Sequence, residues 1–201
     1  MNKGRLFIIS GPSGSGKDTV MKELFKIRPT LEFSISSITR PMREGEVQGE
    51  KYNFISREEF EDMLNHDQLL EHNVFLGNYY GTPLKPVLDC IDAGKDMMIE
   101  VDVNGAAQIR QKMPGAVSIF ISPPSLEVLK NRLFGRATDD KEIIEKRVYE
   151  AIREIKRANE YDYVVVNDNL QKAIADVDCI INSDSFKTDR NLATIENVLN
   201  K

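Results

Sequence analysis

The chain has 201 residues, 41% of them hydrophobic and 29% charged, with a formal net charge of −5. That balance suits one globular unit with a sizeable core, and an acidic excess without a basic tail argues against nucleic acid as the main partner. No apolar run approaches the ~20 residues of a bilayer span, and Met1 to Arg5 lead straight into an apolar segment, so no membrane partner and a cytoplasmic address are expected.

The first predicted element is a buried strand at Leu6 to Ile9, and it opens into Ser10-Gly11-Pro12-Ser13-Gly14-Ser15-Gly16-Lys17-Asp18-Thr19. Val20, Met21, Leu24 and Phe25 then form a helical stripe. Strand, glycine-rich loop and helix are the context of a phosphate cradle, in which backbone N–H groups point inward at phosphate oxygens and a lysine supplies mobile positive charge. Gly11 to Thr19 are therefore the candidate nucleoside triphosphate site. The usual pattern places a serine or threonine after the lysine to ligate magnesium; here that position is Asp18, with Thr19 following.

A second strand is expected at Phe33 to Ser37, and the segment after it carries Arg40 and Arg43, whose planar guanidinium forks suit a second phosphate. Between about Thr39 and Gly94 the texture changes. Short strands around Tyr52 to Ile55 and Val74 to Phe75 flank a helix that Ser56 and Glu59 should cap, and Gly45, Gly49, Gly77 and Gly81 punctuate them. This stretch reads as an inserted substrate-binding subdomain.

Further strands are expected at Met97 to Val101, Ala116 to Ile121 and Tyr163 to Val166, which with the intervening helices argue for an α/β fold with a parallel sheet. From Leu126 to Ala158 the chain reads as helical. Ser125 follows Pro123-Pro124 at one helix start, Asp139 with Glu142 forms a capping box at another, and the interruption at Gly135 to Asp140 reads as the tip of a mobile lid bearing Arg132, Arg136 and Arg147. Asp189 to Lys201 reads as a terminal amphipathic helix through Leu192, Ile195, Val198 and Leu199. Cys90 and Cys179 lack any metal or disulfide spacing and are expected to be ordinary buried thiols.

Taken together, Gly-Pro-Ser-Gly-Ser-Gly-Lys at Gly11 to Lys17, Thr-Arg-x-x-Arg-x-Gly-Glu at Thr39 to Glu46, Gly77 to Pro83, Glu100 to Gly105, and Asn167-Asp168 resemble the guanylate kinase family from about Arg5 to Phe186. The resemblance implies a P-loop NTPase-type parallel five-stranded sheet with crossover helices, a GMP-binding insertion at 39–94 and a helical lid at 126–159. The remaining core would be 1–38 with 95–125 and 160–201. It implies transfer of the γ-phosphate of ATP to GMP, with Mg²⁺ as cofactor. By the same resemblance Lys17, Arg136 and Arg147 are catalytic, and Asn167 contacts the adenine side. Arg40, Arg43, Tyr52 and Tyr80 would hold the GMP phosphate, while Ser36, Glu71, Thr82 and Asp102 would read guanine. Asp18, Glu100 and Asp102 are the candidate metal ligands.

The chain departs from the family pattern at Asp18, at Ile38, at His72-Asn73 and at Ala137. The Gly-Lys-Asp ending also resembles kinases of ribose 1,5-bisphosphate, against which the guanine-reading set argues. A non-catalytic guanylate-kinase-like binding module would need neither Lys17 nor the lid arginines. A GTPase reading lacks the Asn-Lys-x-Asp motif. Monomer and homodimer both stay open, as does use of dGMP.

Overall fold

The computed structural model describes residues 3–134 and 141–200. The wholly buried strand β1 (Leu6–Ser10) leads through the glycine-rich turn into α1 (Lys17–Ile27) and β2 (Glu32–Phe33). A second group follows: β3 (Ser36–Ile38), β4 (Tyr52–Phe54), α2 (Arg57–Asn65), β5 (Leu69–Phe75) and β6 (Asn78–Pro83). The chain then returns through α3 (Leu84–Asp92), β7 (Met97–Glu100), α4 (Val103–Lys112) and β8 (Val117–Ser122). It ends with α5 (Leu126–Phe134), α6 (Lys141–Ile155), β9 (Tyr163–Val166), α7 (Leu170–Asp184) and α8 (Leu192–Leu199).

The central sheet has five strands in the order β2, β7, β1, β8, β9, all parallel. Alternation along β1 explains why both faces are covered. Phe7 and Ile9 pack with Val20, Leu24, Val177 and Ile181 of α1 and α7, whereas Leu6 and Ile8 pack with Val87, Ile91, Ala106 and Ile109 of α3 and α4. A parallel strand buried on both sides has no polar face, which is why it reads as a continuous apolar run. The chain moves from β1 out to β2, comes back through β7 and crosses to β8 on the other side of β1. Such a reversal leaves a crevice beyond the carboxyl ends of the strands, where β1 and β7 deliver Ser10 and Glu100.

The second sheet has the order β4, β3, β6, β5 and is mixed: β3 runs parallel to β4 and antiparallel to β6, which pairs antiparallel with β5. It corrects the single strand expected at Phe33 to Ser37. Ser34 N donates to Met98 O at 3.0 Å as the last link to β7, and three residues later Ser37 is paired with Gly81 and Asn53. A continuous run of strand-forming residues gives no sign of a change of sheet. The second sheet thus begins at Ser36, upstream of the boundary expected at residue 39.

Capping follows the local chemistry. Ser56 accepts from Glu59 N while the Glu59 side chain accepts from Ser56 N, the expected capping box of α2, and Ser125 Oγ accepts from Val128 N at 3.1 Å. Gly135, Arg136, Ala137 and Asp139 lie outside the described residues. The cysteines correct an expectation: Cys90 is half-buried and Cys179 is exposed, because the buried face of α7 is taken by Ala173, Ile174, Val177 and Ile181. The terminal helix forms after a 3₁₀ turn at Thr188–Arg190, and its apolar residues are largely exposed. No described helix is long and apolar enough to cross a membrane.

The β5–β6 hairpin turns at Leu76 and Gly77, with φ of 49° and 77°. Two consecutive positive φ values make the turn that best matches strand twist, and asparagine tolerates the first of them far better than leucine. Leu76 is also 84% exposed. Replacing Leu76 by Asn should raise the unfolding free energy by about 0.5–1 kcal/mol, read by urea denaturation, with nucleotide affinity unchanged.

Candidate active site

Two close approaches shape the turn after β1. A Cβ on Gly11 would lie 2.3 Å from Ile121 O, and one on Gly16 would lie 2.4 Å from Asn167 Nδ2. Gly16 is also the N-cap of α1, left-handed at φ 84° and without a side chain to offer. The helix therefore starts without a side-chain cap, and its first N–H groups and positive dipole end are left for an anion. From behind, Ser15 O accepts from Asn167 Nδ2 at 2.8 Å and from Arg132 Nη1 at 3.3 Å, while Arg132 Nη2 donates to Asn167 O at 2.9 Å. Helix α5 and the exit of β9 thus brace the turn.

Lys17 Nζ stands 3.5 Å from Glu100 Oε1 and 3.7 Å from Asp18 Oδ1. Lys51 reaches the other oxygen of Glu100 at 3.6 Å. Burial pushes the Glu100 carboxyl up, with Lys17 pulling the other way. Asp102 is the N-cap of α4: Oδ1 accepts from Asn104 N at 2.9 Å and Gly105 N at 2.8 Å, and Oδ2 accepts from Asn73 Nδ2 at 2.6 Å.

On the second sheet, Glu71 is buried and its Oε1 accepts from Thr82 Oγ1 at 2.7 Å. Desolvation pushes its carboxyl up to about 7, against the Thr82 hydroxyl that favours the charged form. Arg40 forms a two-pronged pair with Glu46 at 2.7 and 2.5 Å and lies over the rings of Tyr52 and Phe54. That pair, with the backbone N–H of Arg43, holds the Glu46 carboxyl down at about 2. Tyr80 lies beside the Arg40 guanidinium and raises its pKa further. Tyr79 by contrast stacks on Phe60 at 5.1 Å, a packing role.

One cleft of about 590 Å³ joins these parts. The turn contributes Gly11, Pro12, Ser13, Gly14, Gly16, Lys17, Asp18 and Thr19; the second sheet contributes Ser36, Tyr52, Glu71 and Tyr80; Glu100 and Asp102 lie between. Thr82 touches the cleft only through Glu71, and Ser15 is buried under the turn. Arg43 is exposed outside it. A recess of about 400 Å³ beside the turn is lined by Thr19, Arg132, Asn167, Asp168 and Leu170. Arg147 is half-buried on α6, away from the lining of the main cleft, and Arg136 lies outside the described residues.

The cleft also holds residues that sequence reasoning missed: Lys51, Asn73, Phe75 and Glu154. Lys51 and Phe75 sit in no motif. Glu154 follows Arg147 by two helical turns, so a shared face of α6 was the one signal available. Burial pushes its carboxyl up to about 7, with Lys17 opposing and Asp102 and Glu150 adding to the rise.

Among the described residues no three His, Cys, Asp or Glu groups cluster as a metal cage. Asp18 and Glu100, facing Lys17 from two elements, nevertheless suit a divalent ion that keeps most of its water and takes one or two carboxylates beside phosphates. Asp102 is less available, since both its oxygens already accept hydrogen bonds.

Known proteins resemble the chain over nearly its whole length. A family model described as guanylate kinase matches residues 3–184. The chain is 46% identical over 198 residues to a guanylate kinase of Lactiplantibacillus plantarum, covering 98% of this chain and 96% of that one. It is 45% identical over 188 residues to a guanylate kinase of Lactococcus lactis subsp. lactis, covering 94% and 92%. The crystal structure of guanylate kinase from Anaplasma phagocytophilum superposes with a TM-score of 0.77 at 32% identity, over 94% of this chain and 90% of that one.

Burial of Glu71 has a measurable cost. Its folded carboxyl, near 7, binds a proton that the unfolded chain has released once the pH exceeds about 4.5. Native stability therefore falls as pH rises through that window. Without nucleotide, Glu71→Gln should match the parent near pH 4.5 and exceed it at pH 8 by on the order of 2–3 kcal/mol, measured by thermal unfolding against pH.

Proposed function

The chain belongs to the guanylate kinase family, its activity is the ATP-dependent phosphorylation of GMP to GDP, and we propose a division of that work among the residues of the cleft. Residues 11–19 cradle the triphosphate, with Lys17 supplying charge to its oxygens and Asn167 flanking the adenine side. Arg40, Arg43, Tyr52 and Tyr80 hold the GMP phosphate; Arg40 does so by exchanging or sharing Glu46, its present partner. Glu71 accepts from the N1–H and N2–H₂ donors of guanine, with Ser36 and Thr82 completing the hydrogen bonds and Asp102 beside them. Adenine would set its N1 acceptor against that buried carboxylate and bring neither of guanine's donors, which is the physical basis of discrimination.

In the transfer, a phosphate oxygen of GMP attacks the γ-phosphorus, the bond to the β-bridging oxygen breaks, and ADP leaves. The nucleophile is already anionic, so no general base is required, and neither His66 nor His72 is assigned a role. Most of the rate comes from positioning and from charge placed around the transferred group. Lys17 holds charge there from the start, and Arg136 and Arg147 add theirs when the lid, residues 126–159, closes. Glu100 and Asp18 would hold Mg²⁺ through its waters, and the ion would supply positive charge against the phosphates. Residues 39–94, together with Ser36–Ile38 of the same sheet, form the GMP-binding unit, and the rest of 1–38 with 95–125 and 160–201 the core. A cytoplasmic address fits substrates of this kind.

The observation that carries this reading is the single cleft in which Lys17 and the glycine turn face Glu71, Tyr52 and Tyr80. The test is ADP production from Mg·ATP with GMP, dGMP, AMP, UMP, CMP and ribose 1,5-bisphosphate offered separately. Turnover should require a guanine base; turnover with the sugar phosphate alone would overturn the assignment.

Asp18 should make the metal site unusual. Asp18→Ser removes a carboxylate next to Lys17 and should raise the free Mg²⁺ needed for half-maximal rate about three- to tenfold. Superimposable magnesium titrations would show that Asp18 does not meet the metal.

A further inference from the structure

Strand β5 is an edge of the second sheet, and helix α4 holds its open side where another strand would otherwise lie. Lys112 Nζ donates to Leu69 O at 2.9 Å. The Gln108 amide donates to His72 O at 2.9 Å and accepts from His72 N at 3.2 Å, and Asn73 Nδ2 donates to Asp102 Oδ2 at 2.6 Å. Gly105 fills the gap between these contacts, for a Cβ there would stand 2.8 Å from Oε2 of Glu71. Positions 102, 105, 108 and 112 recur at helical spacing, so one face of α4 follows the strand on both sides of Glu71.

Asn73 closes this arrangement at the end nearest the phosphate site. Its Oδ1 accepts from Val74 N at 2.7 Å, which turns its NH₂ toward Asp102. Asp102 Oδ1 is meanwhile held by the first N–H groups of α4. The helix start and the strand therefore fix one carboxylate from two sides, and the backbone at Gly105 rests against the other.

We propose that Asn73 is a positioning residue for guanine selectivity: by holding Asp102 it fixes the first turn of α4, and through Gly105 the Glu71 carboxylate, where the base is read. This rests on the assignment of Glu71 to guanine. Charge argues in the same direction. Asp102 already raises the Glu71 carboxyl, and a neutral amide at position 73 gives Asp102 a donor without adding a third carboxylate.

The test is steady-state kinetics with GMP and with IMP, which lacks the 2-amino group, for Asn73→Ala, Asn73→Asp and Glu71→Gln. Asn73→Asp should raise KM for GMP about tenfold and reduce the preference for GMP over IMP by a similar factor, with KM for ATP within about twofold. Asn73→Ala, which loses the donor without adding a charge, should shift both in the same direction by a smaller factor. Equal changes for GMP and IMP, or no change in the Asn73 variants, would overturn the proposal. If Glu71→Gln removes the preference while the Asn73 variants keep it, positioning alone is refuted. If Glu71→Gln itself leaves the preference intact, the guanine assignment falls and the proposal with it.

Discussion

Gly11 lies so close to the carbonyl of Ile121, and Gly16 to the amide of Asn167, that no side chain can stand at either place. This contact between the turn and the strands beside it fixes where α1 begins, and hence where its open N–H groups point. Lys17, the first residue of that helix, is thereby held between Asp18 and Glu100. Every other part of the cleft is measured from this point. Arg132 and Asn167, which bear on Ser15 from α5 and from the end of β9, show that the brace is tertiary: segments more than a hundred residues downstream hold the turn in shape.

The cleft also gathers carboxylates at least partly removed from water. Glu71, Glu100 and Glu154 are all pushed toward their neutral forms by burial, whereas Glu46, half-buried but paired with Arg40, is strongly acidic. The contrast separates two uses of a carboxylate. Glu46 keeps the Arg40 fork extended and ready, while Glu71 is buried with donors from Thr82. Burying a carboxylate lowers stability and sharpens selectivity by the same mechanism, since a ligand that brings further donors relieves the cost.

Much of this was legible in the chain. The glycine turn, the strands of the central sheet apart from the one that splits after Phe33, and the Ser56 capping box each rest on local rules, and those rules held. The β6 strand was read only as a motif, because Leu-Gly is a weak hairpin signal and nothing in the sequence announces that Leu76 will accept a positive φ. Cys179 was misplaced for a similar reason: on a helix with several apolar residues, spacing alone did not settle which side would be covered. Lys51 and Glu154 were missed because nothing in their own segments marks them, and only the fold carries them to Glu100 and Lys17.

The sequence by itself determined the chemistry of the phosphate cradle and the order of the elements. Both follow from short-range constraints, namely backbone freedom at glycine, apolar periodicity and capping. Tertiary structure decided how the two sheets meet, that Asp102 serves as the cap of α4 with Asn73 on its second oxygen, and that Arg40 is occupied by Glu46. Those outcomes depend on distances between residues remote in the chain and on how much water reaches them, and neither quantity is written in any local pattern.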